Sequence, residues 1–136
     1  MITSDWVFNG QLFTEDMIEG SFGFVYLITN IMTKRKYVGK KLFTAAARKM
    51  VKGKSKKIRK SSNWKNYWGS SKDVQEDVKH MGEKCFTREI LRLCKSRSEC
   101  TYYETVEIIE RKALETDEYY NQWLQCRISK KHIKKA

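Results

Sequence analysis

The stretch from Gly20 to Lys41, GSFGFVYLITNIMTKRKYVGKK, decides the fold. Its first half is rich in β-branched and aromatic residues, and this composition predicts a β-strand over 21–29. Side chains alternate along a strand, so one face carries four large apolar groups: Phe22, Phe24, Tyr26 and Ile28. A polar turn and a short second strand over 36–39 follow, which predicts a hairpin with Tyr26 and Tyr37 on neighbouring strands.

Positive charge is concentrated around this hairpin. The block from Gly20 to Lys72 contains 15 lysines and arginines and no acid, whereas the rest of the chain has 13 basic and 16 acidic residues. The net charge of +12 is therefore +15 in one block and −3 elsewhere. Interspersed charges would be enough for solubility, so this segregation predicts a polyanionic partner. Nucleic acid is favoured over a membrane because no amphipathic anchor accompanies the charge.

Two segments directly after the hairpin have contrasting compositions. The run over 42–51 contains three consecutive alanines and predicts a helix of about three turns. The lysine-rich segment over 52–60 cannot bury a face, so we expect a mobile loop or a frayed helix end there.

The second half of the chain predicts two helices and a strand. Ser70 or Ser71 is suited to cap a helix over 72–81, and the segment 84–93 has the composition of a third strand. A long helix over 98–114 is expected to bury one stripe: Tyr102, Val106, Ile109 and Ala113. Together these elements predict an α+β fold with a three-stranded antiparallel sheet flanked by helices.

The length of 136 residues suits one domain. We expect an amino-terminal extension over 1–19 that lies across the domain or a second subunit. The domain itself is expected over 20–121, with a basic insertion at about 52–62 and a basic tail over 122–136. The sequence has no apolar run long enough to span a membrane and no leader pattern, and its four cysteines form no C-x-x-C pair. These features predict a cytoplasmic protein with reduced thiols.

Two tripeptides of the hairpin resemble a known family. Phe24-Val25-Tyr26 and Tyr37-Val38-Gly39, with tyrosines eleven positions apart, are similar to the paired G-I-Y and Y-I-G of the GIY-YIG nuclease superfamily, with Phe24 in place of the first glycine. The resemblance covers about 21–121 and extends to the order of the functional residues: Tyr26, Tyr37, Gly39, Arg48, Glu104 and Asn121. It implies a divalent-metal-dependent DNA endonuclease, of a free-standing phage or homing type, acting in the host cytoplasm.

A carboxylate is needed to hold the metal ion, and the long helix offers three. The resemblance implies that Glu104 is the only protein ligand of one Mg²⁺ or Mn²⁺ ion. Helical geometry favours Glu110, because it lies about 80° from Tyr102, near the expected buried stripe, whereas Glu104 lies about 200° away. Glu107 is the third candidate, and the choice among the three carboxylates stays open at this point.

The resemblance also implies roles for the other residues of the series. Tyr26 or Tyr37 accepts a proton from the attacking water, directly or in relay, and Asn121 orients groups by hydrogen bonds. Positive charge is required because a free phenol, with a pKa near 10, is not a base at neutral pH. Arg48 is expected to contact the scissile phosphate and Lys41 to add charge. Rival cations for the phosphate are Arg59, Lys41 and Lys52.

The insertion and the aromatic segment after it are expected to bind double-stranded DNA by charge and base stacking. The candidate residues are Lys40, Lys52, Lys54, Lys56, Lys57, Arg59, Lys60, Trp64, Lys65 and Tyr67. The alternative for Trp64 and Tyr67 is packing in the core. With no room for a separate specificity domain, recognition is expected from the insertion, the termini or a homo-oligomer. Two alternative functions are a non-catalytic nucleic-acid-binding protein and an RNA-binding accessory protein.

Overall fold

The computed structural model describes residues 3–132, which form an α+β fold. The strands are β1 (Trp6–Phe8), β2 (Gln11–Leu12), β3 (Gly23–Asn30), β4 (Lys36–Leu42), β5 (Thr44–Val51), β6 (Lys54–Ser61) and β7 (Phe86–Cys94). The helices are α1 (Lys72–Met81) and α2 (Arg97–Glu110). Residues 1–2 of the expected amino-terminal extension and 133–136 of the expected basic tail lie outside the described residues.

The main sheet has five strands in the order β2-β1-β7-β3-β4. β1 pairs with β7 in parallel, and the other neighbouring pairs are antiparallel. The expected hairpin and third strand are confirmed as β3, β4 and β7, but the prediction of a three-stranded sheet was wrong. The two additional strands come from residues 6–12 and are three and two residues long. Strands this short carry too little periodicity to be read from a sequence.

β3 is buried on both faces. Phe24, Tyr26 and Ile28 lie in one apolar cluster, whereas Val25 and Leu27 lie in another. The predicted shared face is thus confirmed for the three residues within the strand. The first cluster is aromatic, and its other large members are Trp6, Phe13, Phe43, Trp64, Phe86 and Tyr120. This packing places the Tyr26 ring inside a rigid core.

The helix α2 covers the second face of the sheet. Its buried residues are Cys100 and Ile108, and Ala113 is buried just beyond its end. The predicted buried stripe is confirmed for Ala113 but was wrong for Ile109, which is 58% exposed, and for Tyr102, which is only partly buried. Residues four apart lie on one helical face, so the buried face runs through Cys100 and Ile108 and includes the position between them, Glu104.

The prediction for 42–60 was also wrong. This segment forms an antiparallel hairpin of β5 and β6, in which Arg48 lies on a strand rather than a helix. The two-residue turn, Lys52-Gly53, has positive φ at both positions, 51° and 77°. Such turns match the twist of a hairpin. The helix preference of three alanines is weak, and the turn and the cross-strand pairing override it.

The prediction of the capped helix is confirmed by α1. The Ser71 hydroxyl accepts a hydrogen bond from the Val74 amide, and Gly82 follows the last residue of the helix. Within the part of the chain that the structure describes, neither helix is long and apolar enough to cross a lipid bilayer.

The segment after α2 returns to the free edge of β4. The Lys36 amide donates to the Glu118 carbonyl at 2.9 Å, and the Tyr120 amide donates to the Lys36 carbonyl at 2.7 Å. The side chain of Asn121 then bonds both backbone groups of Val38, with its oxygen accepting at 3.0 Å and its amide donating at 2.9 Å. These bonds cover the edge of the sheet and place residues 120–125 beside β4.

Candidate active site

The hydroxyl of Tyr26 is the most constrained polar group of the core. It is fully buried, and it has no hydrogen-bond partner within residues 3–132. A Cβ at Gly39 would lie 2.2 Å from this hydroxyl oxygen and 2.4 Å from Cζ, so only glycine leaves room for the ring. Burial raises the pKa of Tyr26 well above its ordinary value. A buried, unpartnered hydroxyl is unfavourable for folding and is therefore a candidate functional group.

Tyr37 lies next to Tyr26 on β4, with ring centroids 6.2 Å apart. Its hydroxyl is 3.0 Å from the Ser70 hydroxyl. Burial raises the pKa of Tyr37, and the hydrogen bond with Ser70 opposes that rise. Gly69 approaches both rings, since a Cβ there would lie 3.3 Å from the Tyr26 oxygen and 3.3 Å from Tyr37 Cε2. The two phenols are therefore enclosed by two glycines.

Glu104 is the carboxylate of α2 that faces these phenols. It is partly buried, and burial raises its pKa while the charge of Lys40 opposes the rise. Its charge in turn contributes to the raised pKa of both Tyr26 and Tyr37. Glu110 is exposed. The geometric argument that favoured Glu110 was wrong because it took the stripe through Tyr102 and Ile109 as the buried face.

Glu107 points to a different partner. Its carboxylate accepts a hydrogen bond at 2.9 Å from Arg111, one turn along the chain. Neither Glu107 nor Glu110 lines the cleft in which Glu104 lies. The position of the three carboxylates therefore favours Glu104 as the metal ligand that the resemblance implies.

A cleft of about 850 Å³ brings these groups together at the edge of the sheet. Its chemical groups come from β4, α2, the start of α1 and the returning segment. The polar and aromatic residues that line it are Tyr37, Lys40, Tyr67, Ser70, Ser71, Lys72, Asp73, Glu104, Tyr120, Asn121, Gln122, Trp123 and Gln125. The Tyr26 hydroxyl lies behind this surface, between Tyr37 and Gly69.

The predicted cations are distributed differently from the expectation. Lys40 lines the cleft, and its ammonium donates to the Thr101 hydroxyl of α2. Lys41 does not line the cleft itself, but its ammonium lies 4.2 Å from the centre of the ring of the cleft residue Tyr67, and burial lowers its pKa. Arg48 is exposed on β5, where its guanidinium is 3.5 Å from the Ser55 hydroxyl. Lys40 and Lys72 are thus the cations that line the cleft together with Glu104.

The aromatic residues of the expected stacking surface separate into two groups. Trp64 is only 3% exposed and packs among core rings, so its predicted base stacking was wrong. Tyr67 lines the cleft, while Lys65 forms an exposed ion pair with Glu15 at 2.6 Å. The remaining candidates lie on the β5–β6 hairpin: Lys52, Lys54, Lys56, Lys57, Arg59 and Lys60.

A buried arginine holds Tyr67 at the cleft. The guanidinium of Arg88 donates to the Tyr67 carbonyl at 2.8 Å, the Lys65 carbonyl at 3.1 Å and the Ser4 carbonyl at 2.7 Å. It also lies 4.7 Å from the Trp6 ring centre and 4.2 Å from that of Trp68. Burial lowers its pKa to about 10. Arg88 therefore fixes the loop before α1 with hydrogen bonds from one cation.

Sequence reasoning missed several cleft residues. Ser70 and Ser71 were considered only as helix caps, and Trp123, which is 72% exposed, only as part of the tail. Asp73 provides a second carboxylate at the start of α1. A glycine directly before two serines and a helix was the available signal, because such a turn directs backbone amides towards an anion.

The donor set fits a hard divalent cation with few protein ligands. Within residues 3–132, no three side chains of the His, Cys, Asp or Glu type are grouped as in a multidentate metal site. The cleft carboxylates are Glu104 and Asp73. Mg²⁺ commonly binds one or two carboxylates and completes its shell with water and phosphate oxygens. Glu104 would hold such an ion, with Asp73 as the second carboxylate of the cleft.

Comparison with known proteins gives a family match over most of the chain. The family model described as "Putative endonuclease segE, GIY-YIG domain" matches residues 6–124. The chain belongs to this GIY-YIG family. Among GIY-YIG relatives, "Putative endonuclease segE" of Enterobacteria phage T4 is 32% identical over 102 residues, which is 74% of this chain and 40% of that protein. The chain thus matches less than half of that relative's length. No solved structure gives a significant match.

Proposed function

We propose that this GIY-YIG protein is a divalent-metal-dependent endonuclease that hydrolyses phosphodiester bonds of double-stranded DNA. The observation that carries the proposal is the convergence of Tyr37, Lys40 and Glu104 on one cleft, with the unpartnered Tyr26 hydroxyl directly behind it. The name of the phage T4 relative supports an endonuclease class. A free-standing phage or homing-type enzyme acting in the host cytoplasm fits that relative's source.

Charge in the cleft is arranged for a phosphate. The ammonium of Lys40 and the amino-terminal end of α1 both lie at its surface. Unpaired amides and the helix dipole at that end attract an anion. The scissile phosphate would therefore bind between Lys40 and the Ser70-Ser71 turn. In this arrangement Arg48 does not make the contact with the scissile phosphate that the resemblance implied. Asn121 orients the segment after α2 through its two hydrogen bonds to the Val38 backbone.

Glu104 would hold the divalent ion in the same cleft. When bound, Mg²⁺ or Mn²⁺ would supply Lewis-acid charge that neutralises the phosphate and favours loss of the leaving oxygen. Protonated glutamate is a poor ligand, and burial raises the pKa of Glu104. The neighbouring charge of Lys40 opposes this rise in pKa and favours the charged carboxylate.

The two phenols would act as a proton relay. Burial raises the pKa of both, so each is a neutral phenol at neutral pH. A neutral phenol takes up a proton only as it passes its own to another acceptor. Tyr37 lines the cleft with its hydroxyl 3.0 Å from the exposed Ser70 hydroxyl, so it is placed to accept a proton from the attacking water while its own proton passes through Ser70 to bulk water. Tyr26, which lies behind Tyr37, would assist that proton transfer as the second phenol.

Plasmid cleavage tests the proposal. Supercoiled plasmid incubated with the protein and Mg²⁺ should be nicked or linearised, and EDTA should abolish the reaction. Glu104→Gln should reduce cleavage to background and leave DNA binding intact. Glu110→Gln is the matched control, since this exposed glutamate on the same helix should be dispensable.

Two results would contradict the proposal. Clean wild-type protein that shifts DNA in a gel but never cuts it, with Mg²⁺ or Mn²⁺, would favour the non-catalytic DNA-binding alternative. Cleavage that survives Glu104→Gln and is lost in Glu110→Gln would show that Glu110, and not Glu104, holds the metal ion.

A further inference from the structure

The hairpin of β5 and β6, residues 44–61, forms a separate basic arm. It contains eight lysines and arginines and no acidic residue. Most of its side chains are exposed, and only Thr44, Ala47 and Ile58 are partly buried. A two-stranded hairpin without a core is marginally stable in water. The internal contacts of the arm therefore contribute little to the stability of the hairpin.

Like charges face each other across the arm. Arg48 is directly opposite Lys57, and Lys49 is directly opposite Lys56. Like-charged pairs in direct register are destabilising. Within the described chain, no acidic side chain forms a salt bridge with the arm. A polyanion bound along the ribbon would remove this repulsion.

A few contacts hold the base of the arm against the neighbouring residues of the domain. The Arg59 guanidinium donates to the Thr44 carbonyl at 2.7 Å and lies 5.1 Å from the Phe22 ring centre. The Ser62 hydroxyl donates to the Leu42 carbonyl at 2.6 Å. The bond from Ser62 to Leu42 connects the base of the arm to the end of β4, the strand that carries Tyr37 and Lys40.

The two faces of the arm differ in chemistry. Because side chains alternate, one face carries lysines with apolar residues between them, and the other carries both arginines with hydroxyl groups. The lysine face consists of Ala45, Ala47, Lys49, Val51, Lys54, Lys56, Ile58 and Lys60. The arginine face consists of Thr44, Ala46, Arg48, Met50, Ser55, Lys57, Arg59 and Ser61. Arginine and hydroxyl groups are typical readers of base edges, whereas lysine suits phosphates.

We propose that the basic arm enters the major groove of duplex DNA, with the arginine face towards the bases and the lysines reaching the phosphates. The major groove is about 12 Å wide and admits a two-stranded β-ribbon, whereas the minor groove of about 6 Å does not. The small side chains of Ala45 and Ala46, near the base of the arm, permit close approach. Only the position of the cut relative to the arm rests on the proposed function.

The chain length limits where the arm binds. Lys52, at the tip of the arm, is thirteen positions after Gly39, which lies between the cleft residues Val38 and Lys40. Extended chain spans at most about 3.5 Å per residue, so the tip lies within about 45 Å of the cleft. This distance corresponds to about 13 base-pair steps of 3.4 Å. Contacts of the arm should therefore fall within about 13 base pairs of the cleavage position.

Binding and footprinting of the full chain test the arm. Glu104→Gln serves as the background, so that duplexes stay intact whether or not the wild type cuts. Arg48→Ala/Lys57→Ala and Lys49→Ala/Lys56→Ala should each weaken duplex binding at least about 10-fold at 0.15 M salt. Lys49→Ala/Lys56→Ala should lower the log-log salt slope by about 1.8, because two phosphate contacts are lost, whereas Arg48→Ala/Lys57→Ala should lower it less, because that pair faces the bases. Lys79→Gln/Lys84→Gln, which removes two exposed charges elsewhere, is the control and should change neither quantity.

Dimethyl sulfate protection identifies the groove. The arm should protect guanine N7, in the major groove, and Arg48→Ala/Lys57→Ala should remove that protection. Protection confined to adenine N3, in the minor groove, would overturn the proposal. Arm variants that bind like the control, or tighter binding of unpaired RNA than of duplex, would overturn it as well. Arm-dependent protection by a wild type that never cuts would leave the arm in place and reject only the nuclease.

Discussion

The cleft and the basic arm are built on opposite principles. In the cleft, packing creates the chemistry: two phenols are buried against glycines, and one partly buried carboxylate faces them. In the arm, charge is abundant and packing is nearly absent. A substitution in the cleft should therefore change stability and pKa values, whereas a substitution in the arm should change salt-dependent binding and leave the core unaffected.

The largest expected effect is on the packing behind the cleft. Gly39→Ala places a methyl group 2.2 Å from the Tyr26 oxygen, against a ring that the aromatic core prevents from moving. Overpacking of this kind should lower the free energy of unfolding by about 3 kcal/mol. Urea denaturation followed by tryptophan fluorescence measures the loss.

Gly53→Ala adds the same methyl group to the turn of the arm, and it is the comparison for Gly39→Ala. A methyl group there meets no atom within 4 Å, although the backbone φ of 77° is strained for alanine. The main unfolding transition should therefore keep its midpoint. If Gly53→Ala shifts this midpoint as much as Gly39→Ala, the arm and the core form one cooperative unit and the comparison fails.

A smaller effect with the opposite sign is expected for Tyr26→Phe. This change removes a buried hydroxyl that has no partner, so stability should stay constant or rise by up to about 1 kcal/mol. Cleavage should nevertheless fall at least about 10-fold, because the relay loses one phenol. Thermal melts and plasmid assays on the same samples measure both quantities. Unchanged cleavage would leave Tyr26 with a packing role alone.

Tyr120→Phe provides the reference for that stability measurement. The Tyr120 hydroxyl accepts from Asn30 at 3.0 Å and donates to Asp77 at 2.7 Å. Its loss removes the donor to Asp77 and leaves the Asn30 amide with only the weak Met81 sulfur acceptor, which should destabilise the protein by about 1–2 kcal/mol. A similar response of the two tyrosines would mean that the Tyr26 hydroxyl has a partner in solution.

The smallest effect concerns the charge of Glu104. Burial raises its pKa, so the folded state holds this proton more tightly than the unfolded state does. The contribution of Glu104 to stability therefore falls as the pH rises from the ordinary glutamate range through its folded pKa. Without metal at pH 7.5, Glu104→Gln should raise Tm by on the order of 1–3 °C, and the difference should vanish near pH 4.

Added metal separates this electrostatic effect from metal binding. Mg²⁺ should raise the Tm of the wild type and of Glu110→Gln, but not that of Glu104→Gln, because only a retained carboxylate gains the binding free energy. A lower Tm for Glu104→Gln at pH 7.5 without metal would show that the carboxylate stabilises the fold, contrary to its burial.

The sequence predicted the parts of the fold in which local signals agree. In the β3–β4 hairpin, composition, alternation and the turn all favoured the same structure, and the same holds for the capped α1. The β5–β6 hairpin was missed because three alanines favour a helix, while the decisive Lys-Gly turn is only two residues long. The short β1 was missed because its pairing with β7 joins residues more than 80 positions apart.

The sequence by itself determined the chemistry of this protein: two tyrosines at family spacing, a block of positive charge free of acids, and a small set of candidate carboxylates. Tertiary structure decided which of these groups meet. Glu104 rather than Glu110 reaches the cleft because the face of a helix that becomes buried depends on the sheet it covers, and this choice is not encoded in the periodicity of the helix alone. Lys40 points towards α2 and Lys41 towards the Tyr67 ring for a related reason, since adjacent residues of a strand point to opposite faces.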